Sequence, residues 1–184
     1  MQRIIPTVLL VLLMTAAVLA GAPPDFRLKD LDGESFRLGD HLGKKVVYIN
    51  FWASWCKPCK RELPHLQKLY EELGDEGFLP LAINTDPSAA RNRVKSYVRR
   101  HGYGFPFLLD PDNNVHEKYN PTRKLPFSLL VDGDGQVHQS FSGYKTGDEV
   151  LLEKMVRQLL TKDESAAEEP TADGGVEPAE AADE

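Results

Sequence analysis

Residues 46–63 read VVYINFWASWCKPCKREL, and the hydrophobic pattern of this stretch indicates the fold. Val46–Trp52 is an almost unbroken run of β-branched, aromatic and apolar residues, which is typical of a strand buried on both faces. From Cys59 onward the apolar residues recur at spacings of three and four, as in an amphipathic helix. The residues at these spacings are Leu63, Leu66, Leu69, Tyr70 and Leu73. The sequence therefore predicts a central strand that leads directly into a helix.

The only two cysteines, Cys56 and Cys59, lie where the predicted strand meets the predicted helix. Cys56 falls at or just before the helix N-terminus, where unpaired N–H groups and the helix dipole favour an anion. A thiol at this point ionises more readily than a free thiol. One helical turn brings both sulfurs together, so a disulfide can form and break with little backbone movement. We therefore predict a redox-active dithiol/disulfide pair and no separate cofactor.

Two other roles for the cysteine pair are disfavoured. A disulfide across two intervening residues closes a very small loop, so it removes little entropy from the unfolded chain and is a poor structural staple. A structural zinc site needs about four ligands, and the sequence has a single CxxC pair. The five histidines are scattered without ligand spacing, which predicts surface positions for all of them.

The N-terminal residues 1–22 have the composition of an export segment. Arg3 precedes an apolar run that ends in small residues, as in a signal peptide with cleavage after Ala20 or Ala22. The run is also near the lower length limit for a membrane-spanning helix, so an uncleaved anchor that tethers the protein to the membrane is the alternative. Both alternatives place the folded part outside the cytoplasm, in the periplasm or at the outer face of the cytoplasmic membrane.

The rest of the chain predicts one α/β domain over residues 23–161. A β-hairpin precedes the central strand, and alternating helices and strands follow the CxxC helix. The predicted segments are a hairpin at 26–38, strands at 78–84, 105–109, 125–131 and 136–141, helices at 86–101 and 146–160, and a helical turn at 115–119.

Residues 162–184 differ from this domain in composition. They hold nine acidic residues, one lysine, and no aromatic residue or apolar stripe, which predicts a disordered acidic tail. The whole chain carries a charge of −6 and the tail −8, which leaves +2 for the remainder. Because no basic stripe with interleaved aromatics is present, nucleic-acid binding is not expected.

The motif FWASWCKPC at the strand-to-helix junction, the later segment LPFSLLVDGDG and the final amphipathic helix together resemble the thioredoxin superfamily. The resemblance is closest to exported TlpA/ResA-like thiol-disulfide oxidoreductases and covers roughly residues 24–160. It implies a thioredoxin-like fold, with a central mixed sheet flanked by helices and an N-terminal β-hairpin extension.

The resemblance also implies roles for individual residues. Cys56 is similar to the exposed nucleophile of the family, and Cys59 to the buried thiol that closes the disulfide. Pro126 matches a cis proline beside the disulfide, which leaves the backbone of Leu125 free to pair with a substrate strand. Further substrate contacts are implied for Trp55, Lys57 and Pro58.

Glu62 lies where this branch of the family carries a carboxylate near the active site. It could exchange a proton with Cys59, or it could be an exposed residue of the first helical turn that the helix dipole favours. Thioredoxin itself carries a buried acid at the position of Asn50 in this chain. An amide cannot carry protons, so Glu62 is the better candidate for proton transfer.

The implied activity is thiol-disulfide exchange with exported protein substrates, as a reductant. Family analogy suggests cytochrome c maturation, with electrons supplied by a membrane thiol carrier. Two alternatives stay open: a peroxiredoxin-like peroxidase, although its Pro-x-x-x-Thr-x-x-Cys loop is not visible, and a copper-binding chaperone of similar fold, although its CxxxC spacing is one residue longer.

Overall fold

The computed structural model describes residues 21–167, with side chains as far as Lys162. This part of the chain forms a seven-stranded mixed sheet in the order β2-β1-β5-β4-β3-β6-β7. The strands are β1 (Arg27–Asp30), β2 (Ser35–Arg37), β3 (Val46–Trp52), β4 (Phe78–Asn84), β5 (Phe107–Leu109), β6 (Phe127–Val131) and β7 (Val137–Ser142). The helices are α1 (Lys57–Leu73), α2 (Arg91–His101), α3 (Asn114–Tyr119) and α4 (Asp148–Ala167), and short 3-10 turns lie at Leu38–Asp40 and Ser88–Ala90.

The predicted central strand, β3, pairs in parallel with β4 and antiparallel with β6. All seven residues of β3 are buried, as the apolar run predicts. Because successive side chains of a strand point to opposite faces, β3 contributes to two separate cores. Val46, Tyr48 and Trp52 pack on the face that carries apolar residues of α1, α2 and α4, and Val47, Ile49 and Phe51 pack on the other face.

The thioredoxin-like fold with an N-terminal hairpin is confirmed. Strands β1 and β2 form the predicted antiparallel hairpin, and β1 joins it to the main sheet by pairing with β5. The predicted bounds of β4 match the observed ones, because the run FLPLAIN is buried along its whole length. The predicted helix at 86–101 instead starts as a 3-10 turn, and the α-helix begins only at Arg91.

The last helix extends beyond the predicted end of the domain. Helix α4 ends at Ala167, beyond the predicted domain end at residue 161. The predicted leader and most of the predicted acidic tail, residues 1–20 and 168–184, lie outside the described residues. Within residues 21–167 no helix has both the length and the apolar character needed to cross a bilayer.

Candidate redox site

The cysteine pair lies at the junction between β3 and α1. Cys56 is the N-cap residue of α1, and Pro58 occupies the first turn, where a missing N–H group costs no helical hydrogen bond. Cys56 and Cys59 form a disulfide with Cα atoms 5.4 Å apart, within the usual range for such bonds. The backbone N–H of Cys59 donates to Cys56 Sγ over 3.3 Å, so a helix N-terminal amide points at this sulfur.

The exposure of Cys56 differs from the implied exposed nucleophile. In the disulfide form Cys56 is 4% exposed and Cys59 is fully buried. The expectation of an exposed Cys56 is therefore wrong for this oxidised state. Both cysteines belong to the core cluster on the α1 face of the sheet.

Glu62 lies one helical turn after Cys59 on the same buried face of α1. Residues three apart on a helix have Cβ atoms roughly 5–6 Å apart, so Glu62 and Cys59 occupy neighbouring positions on this face of the helix. Glu62 is only 5% exposed, which rules out the alternative of an exposed residue of the first helical turn. Tyr48 Oη donates to Glu62 Oε1 over 2.8 Å, and Asn50 Nδ2 donates to Oε2 over 3.0 Å.

The environment of Glu62 changes its acidity. Burial, which penalises the charged form, raises the pKa of Glu62 to about 7, and the hydrogen bonds from Tyr48 and Asn50 oppose this rise. The same burial and the neighbouring Glu62 carboxylate raise the pKa of Tyr48. A carboxyl group with a pKa near 7 is present in both protonation states at neutral pH, so it can both accept and donate a proton there.

Asn50 links this carboxylate to the next strand. Its side-chain nitrogen also donates to Ser128 Oγ on β6 over 2.9 Å. A small cavity of about 20 Å³ lies beside Glu62 and is bounded by Tyr48 and by Asp148 of α4. A cavity of this size has room for one water molecule.

Three of the predicted substrate-contact residues line one open cavity of about 440 Å³. These are Pro58 of α1 and the pair Leu125 and Pro126 before β6, and the Leu125–Pro126 peptide bond is cis, as the resemblance implies. The other lining residues come from the end of β7, the loop that follows it and the first residue of α4. These lining residues are Ser142, Gly143, Tyr144, Lys145 and Asp148.

Trp55 and Lys57 lie beside this cavity in sequence but do not line it. Trp55 is 67% exposed, an unusual position for a large aromatic side chain. Lys57, the first residue of α1, is also exposed. The structure therefore separates the five predicted substrate contacts into three that line a cavity and two on the outer surface of the motif.

Sequence reasoning missed several residues of this site. Tyr48 stands two residues before Asn50 on the buried strand, so the strand period would have placed both polar groups on one face. Ser128 and the cavity residues between 142 and 148 reach the site only through folding, and no local pattern marks them. The prediction of surface histidines is wrong for His116, which is 1% exposed because it packs against the ring of Phe51.

Within residues 21–167 no three or more His, Cys, Asp or Glu side chains come together in a way that would hold a metal ion.

Comparisons with known proteins agree with this geometry. The AhpC/TSA family model matches residues 20–139. The chain is 37% identical over 137 residues to "Thiol-disulfide oxidoreductase ResA" of Geobacillus kaustophilus, a match that covers 74% of this chain and 76% of that protein.

Two solved structures are similar as well. A thiol:disulfide interchange protein DsbE from Chlorobium tepidum shares 28% identity with a TM-score of 0.69, over 77% of this chain and 96% of that one. The pneumococcal exposed lipoprotein thioredoxin from Streptococcus pneumoniae shares 30% identity with a TM-score of 0.59, over 74% of this chain and all of that one. The chain therefore belongs to the AhpC/TSA family, and within it to the ResA-like thiol-disulfide oxidoreductases.

Proposed function

We propose that this protein reduces disulfides of exported proteins through its Cys56–Cys59 pair. The observation that carries the proposal is the position of Cys56 at the N-cap of α1, disulfide-bonded to Cys59 and facing a backbone N–H. The redox-active pair carries the electrons itself and requires no further cofactor. The relatives reported above are named for thiol-disulfide exchange, which favours this activity over a peroxidase.

In the first step the Cys56 thiolate attacks one sulfur of a substrate disulfide. The substrate S–S bond breaks, a mixed disulfide forms, and the released substrate thiolate takes up a proton. Helix N-terminal N–H groups stabilise the attacking thiolate. Lys57, the next residue, adds a positive charge beside it and favours the reduced form.

In the second step Cys59 resolves the mixed disulfide. Its thiol gives a proton to Glu62, and the resulting thiolate attacks Cys56 Sγ, so that the second substrate sulfur leaves as a thiolate. The substrate has then gained two electrons, and the Cys56–Cys59 disulfide has formed again. Glu62 suits this role because it is buried one turn from Cys59 and titrates near neutral pH.

The cavity of about 440 Å³ supplies the binding site for the substrate segment around the disulfide. An extended segment that lies across it meets the backbone of Leu125 and the rings of Pro58 and Pro126. Backbone pairing gives affinity for many sequences, and the lining side chains provide selectivity. The exposed ring of Trp55 offers a second apolar contact at the edge of the motif.

The predicted leader and the names of the relatives support a proposed location and proposed partners. We place the protein outside the cytoplasm, in the periplasm or at the outer face of the membrane, with a membrane thiol carrier as the electron donor. Cytochrome c maturation is the pathway that family analogy suggests. The redox potential of the pair decides between reduction and oxidation, since a couple below the poise of its compartment donates electrons.

The mechanism is tested with two cysteine variants. Cys59→Ala, incubated with a disulfide-containing model protein, is expected to accumulate a covalent adduct at Cys56 that mass spectrometry identifies. Cys56→Ala is expected to give no adduct and no disulfide reduction. Reduction of the model disulfide by the Cys56 variant at the wild-type rate would refute the mechanism.

A copper-binding chaperone is separated from this activity by a titration. Copper is added to the reduced protein and to the Cys56→Ala variant, and binding is followed by calorimetry. Weak binding that is similar in both proteins supports thiol-disulfide exchange, whereas tight stoichiometric binding that disappears in the variant favours the chaperone.

A further inference from the structure

The segment that precedes Cys56 is a tight turn. The N–H of Cys56 donates to the carbonyl oxygen of Ala53 over 3.0 Å, so Ser54 and Trp55 occupy the two central positions. This turn joins the C-terminal end of β3 to the N-cap of α1. Its conformation therefore sets where Cys56 lies relative to the N–H groups of the helix.

A buried carboxylate from the neighbouring strand holds this turn. Asp86 lies two residues after β4, and its side chain is 1% exposed. Its Oδ2 accepts the backbone N–H of Ser54 over 2.6 Å, and its Oδ1 accepts the Ser54 hydroxyl over 2.9 Å. Asn84 Nδ2 also donates to Asp86 Oδ2 over 2.8 Å, which fixes the carboxylate in place.

Arg93 of α2 completes the arrangement. Its Nη2 lies 3.5 Å from Asp86 Oδ1, and its Nε donates to Ser54 Oγ over 3.2 Å. The three side chains thus form a closed ring of contacts around the turn. Thr85 adds a further attachment, because its N–H donates to the carbonyl oxygen of Trp52 over 3.0 Å.

We propose that Asp86 is a positioning residue for thiol-disulfide exchange, which holds the Ala53–Cys56 turn through Ser54 and thereby aligns Cys56 with the N-terminus of α1. A carboxylate is costly to bury, so its hydrogen bonds must be satisfied, and here two of them go to one residue of the turn. A charge-assisted bond to a backbone N–H is stronger than a neutral one. The buried charge therefore fixes the backbone of a solvent-facing turn that carries Trp55.

A purely electrostatic role and a positioning role for Asp86 predict opposite changes in the pKa of the Cys56 thiol. If the carboxylate acts only as a negative charge, its removal leaves the charge of Arg93 without a carboxylate partner and lowers the pKa of the Cys56 thiol. If it acts by position, its removal lets Cys56 move away from the helix N–H groups, and the pKa of the thiol rises. The sign of the change separates the two roles.

The experiment measures the rate of iodoacetamide alkylation of Cys56 against pH in the reduced protein, with the site confirmed by peptide mass mapping. The variants are Asp86→Asn and Ser54→Ala, and the second removes a hydroxyl without changing any charge. We expect both to raise the pKa of Cys56 and to slow alkylation at neutral pH, by about fivefold for Ser54→Ala, the equivalent of one net hydrogen bond. Ser54→Thr, which keeps the hydroxyl, is expected to restore the wild-type profile.

Asp110 provides the matched control. It is a buried carboxylate at the end of the adjacent strand β5, and it accepts the N–H groups of Val115 and His116 on α3 instead of contacting the turn. Asp110→Asn is expected to lower the melting temperature and to leave the Cys56 profile unchanged.

Three results would overturn the proposal. They are a wild-type profile in Ser54→Ala, a lowered pKa of Cys56 in Asp86→Asn, and an equal shift in Asp110→Asn. If Asp86→Asn fails to fold, the alkylation profiles of Ser54→Ala and Ser54→Thr are sufficient to test the proposal.

This inference rests on the proposed function, because the alignment of Cys56 matters only if Cys56 carries out exchange. The alkylation experiment itself, however, needs no protein substrate. A failure of substrate reduction with the expected alkylation profiles would therefore refute the proposed function and leave this positioning role standing.

Discussion

Tyr48 on the central strand donates a 2.8 Å hydrogen bond to the carboxylate of Glu62, and both side chains are buried. The two residues lie on different elements, β3 and α1, which meet on the same face of the sheet. This bond connects the core of the fold to the group that we propose as the proton acceptor for Cys59. The role of this carboxylate can be measured in three ways: through the pKa of Glu62, the free energy of unfolding and the lifetime of the mixed disulfide.

The Tyr48 bond favours the charged form of Glu62. Removing it in Tyr48→Phe is expected to raise the pKa of Glu62 further above about 7, because burial then acts with less opposition. Carbon-13 NMR of the side-chain carboxyl group against pH measures this value. Tyr144→Phe is the control, since it removes a similar bond to the carboxylate of Glu149 instead. An unchanged or lower Glu62 pKa in Tyr48→Phe would show that the Tyr48 hydrogen bond does not stabilise the charged form of Glu62.

The raised pKa of Glu62 makes stability depend on pH. The folded state, with a pKa of about 7, holds the proton more tightly than the unfolded state, with a value of 4.5. The stability contributed by the protonated group is therefore fully present below pH 4.5 and is lost as the pH rises through 7. The oxidised wild type is expected to lose about 3 kcal/mol across this window relative to Glu62→Gln.

Urea unfolding of both oxidised proteins at a series of pH values measures this difference. The disulfide keeps the cysteines from titrating, so Glu62 is the only group that distinguishes the two chains. Parallel curves of unfolding free energy against pH would show that Glu62 has an ordinary acidity in the folded protein.

Glu62 should also control the step in which Cys59 resolves the mixed disulfide. Because an amide cannot accept the proton of Cys59, Glu62→Gln is expected to lengthen the lifetime of the mixed disulfide by about a hundredfold at neutral pH. Rapid acid quenching followed by mass spectrometry measures this lifetime. Formation of the adduct by Cys56 should change far less, and slowing of both steps to the same extent would point to a general disturbance of the site.

The charged groups at the cavity are expected to select substrates. Lys145 lines the cavity beside Pro126, so Lys145→Glu should weaken the binding of a disulfide peptide with acidic flanks by about two- to fivefold, the range for a single exposed ion pair. The change should lie in KM and should diminish at high salt. Lys154→Glu on the exposed side of α4 is the control, because Lys154 does not line the cavity. Equal effects of the two substitutions would argue against selection at the cavity.

Local patterns in the sequence determined the elements that carry the cysteines. The buried run of β3, the helical spacing of α1 and the position of Cys56 at its N-cap all follow from residues near one another in the chain. The run FLPLAIN likewise marks β4. Hydrophobic period and helix-end chemistry act over a few residues, so one sequence is sufficient to identify them.

Only the tertiary structure decided the environment of these cysteines. From the sequence alone, Glu62 could be either an exposed helix residue or a proton-transfer group. Its burial against Tyr48 and Asn50 depends on how α1 packs on the sheet. The bond from Asp86 to Ser54 joins residues 32 positions apart and is made because β4 lies beside β3. Acidity and alignment at this site arise from such long-range contacts, because desolvation and hydrogen bonding depend on which groups meet in space.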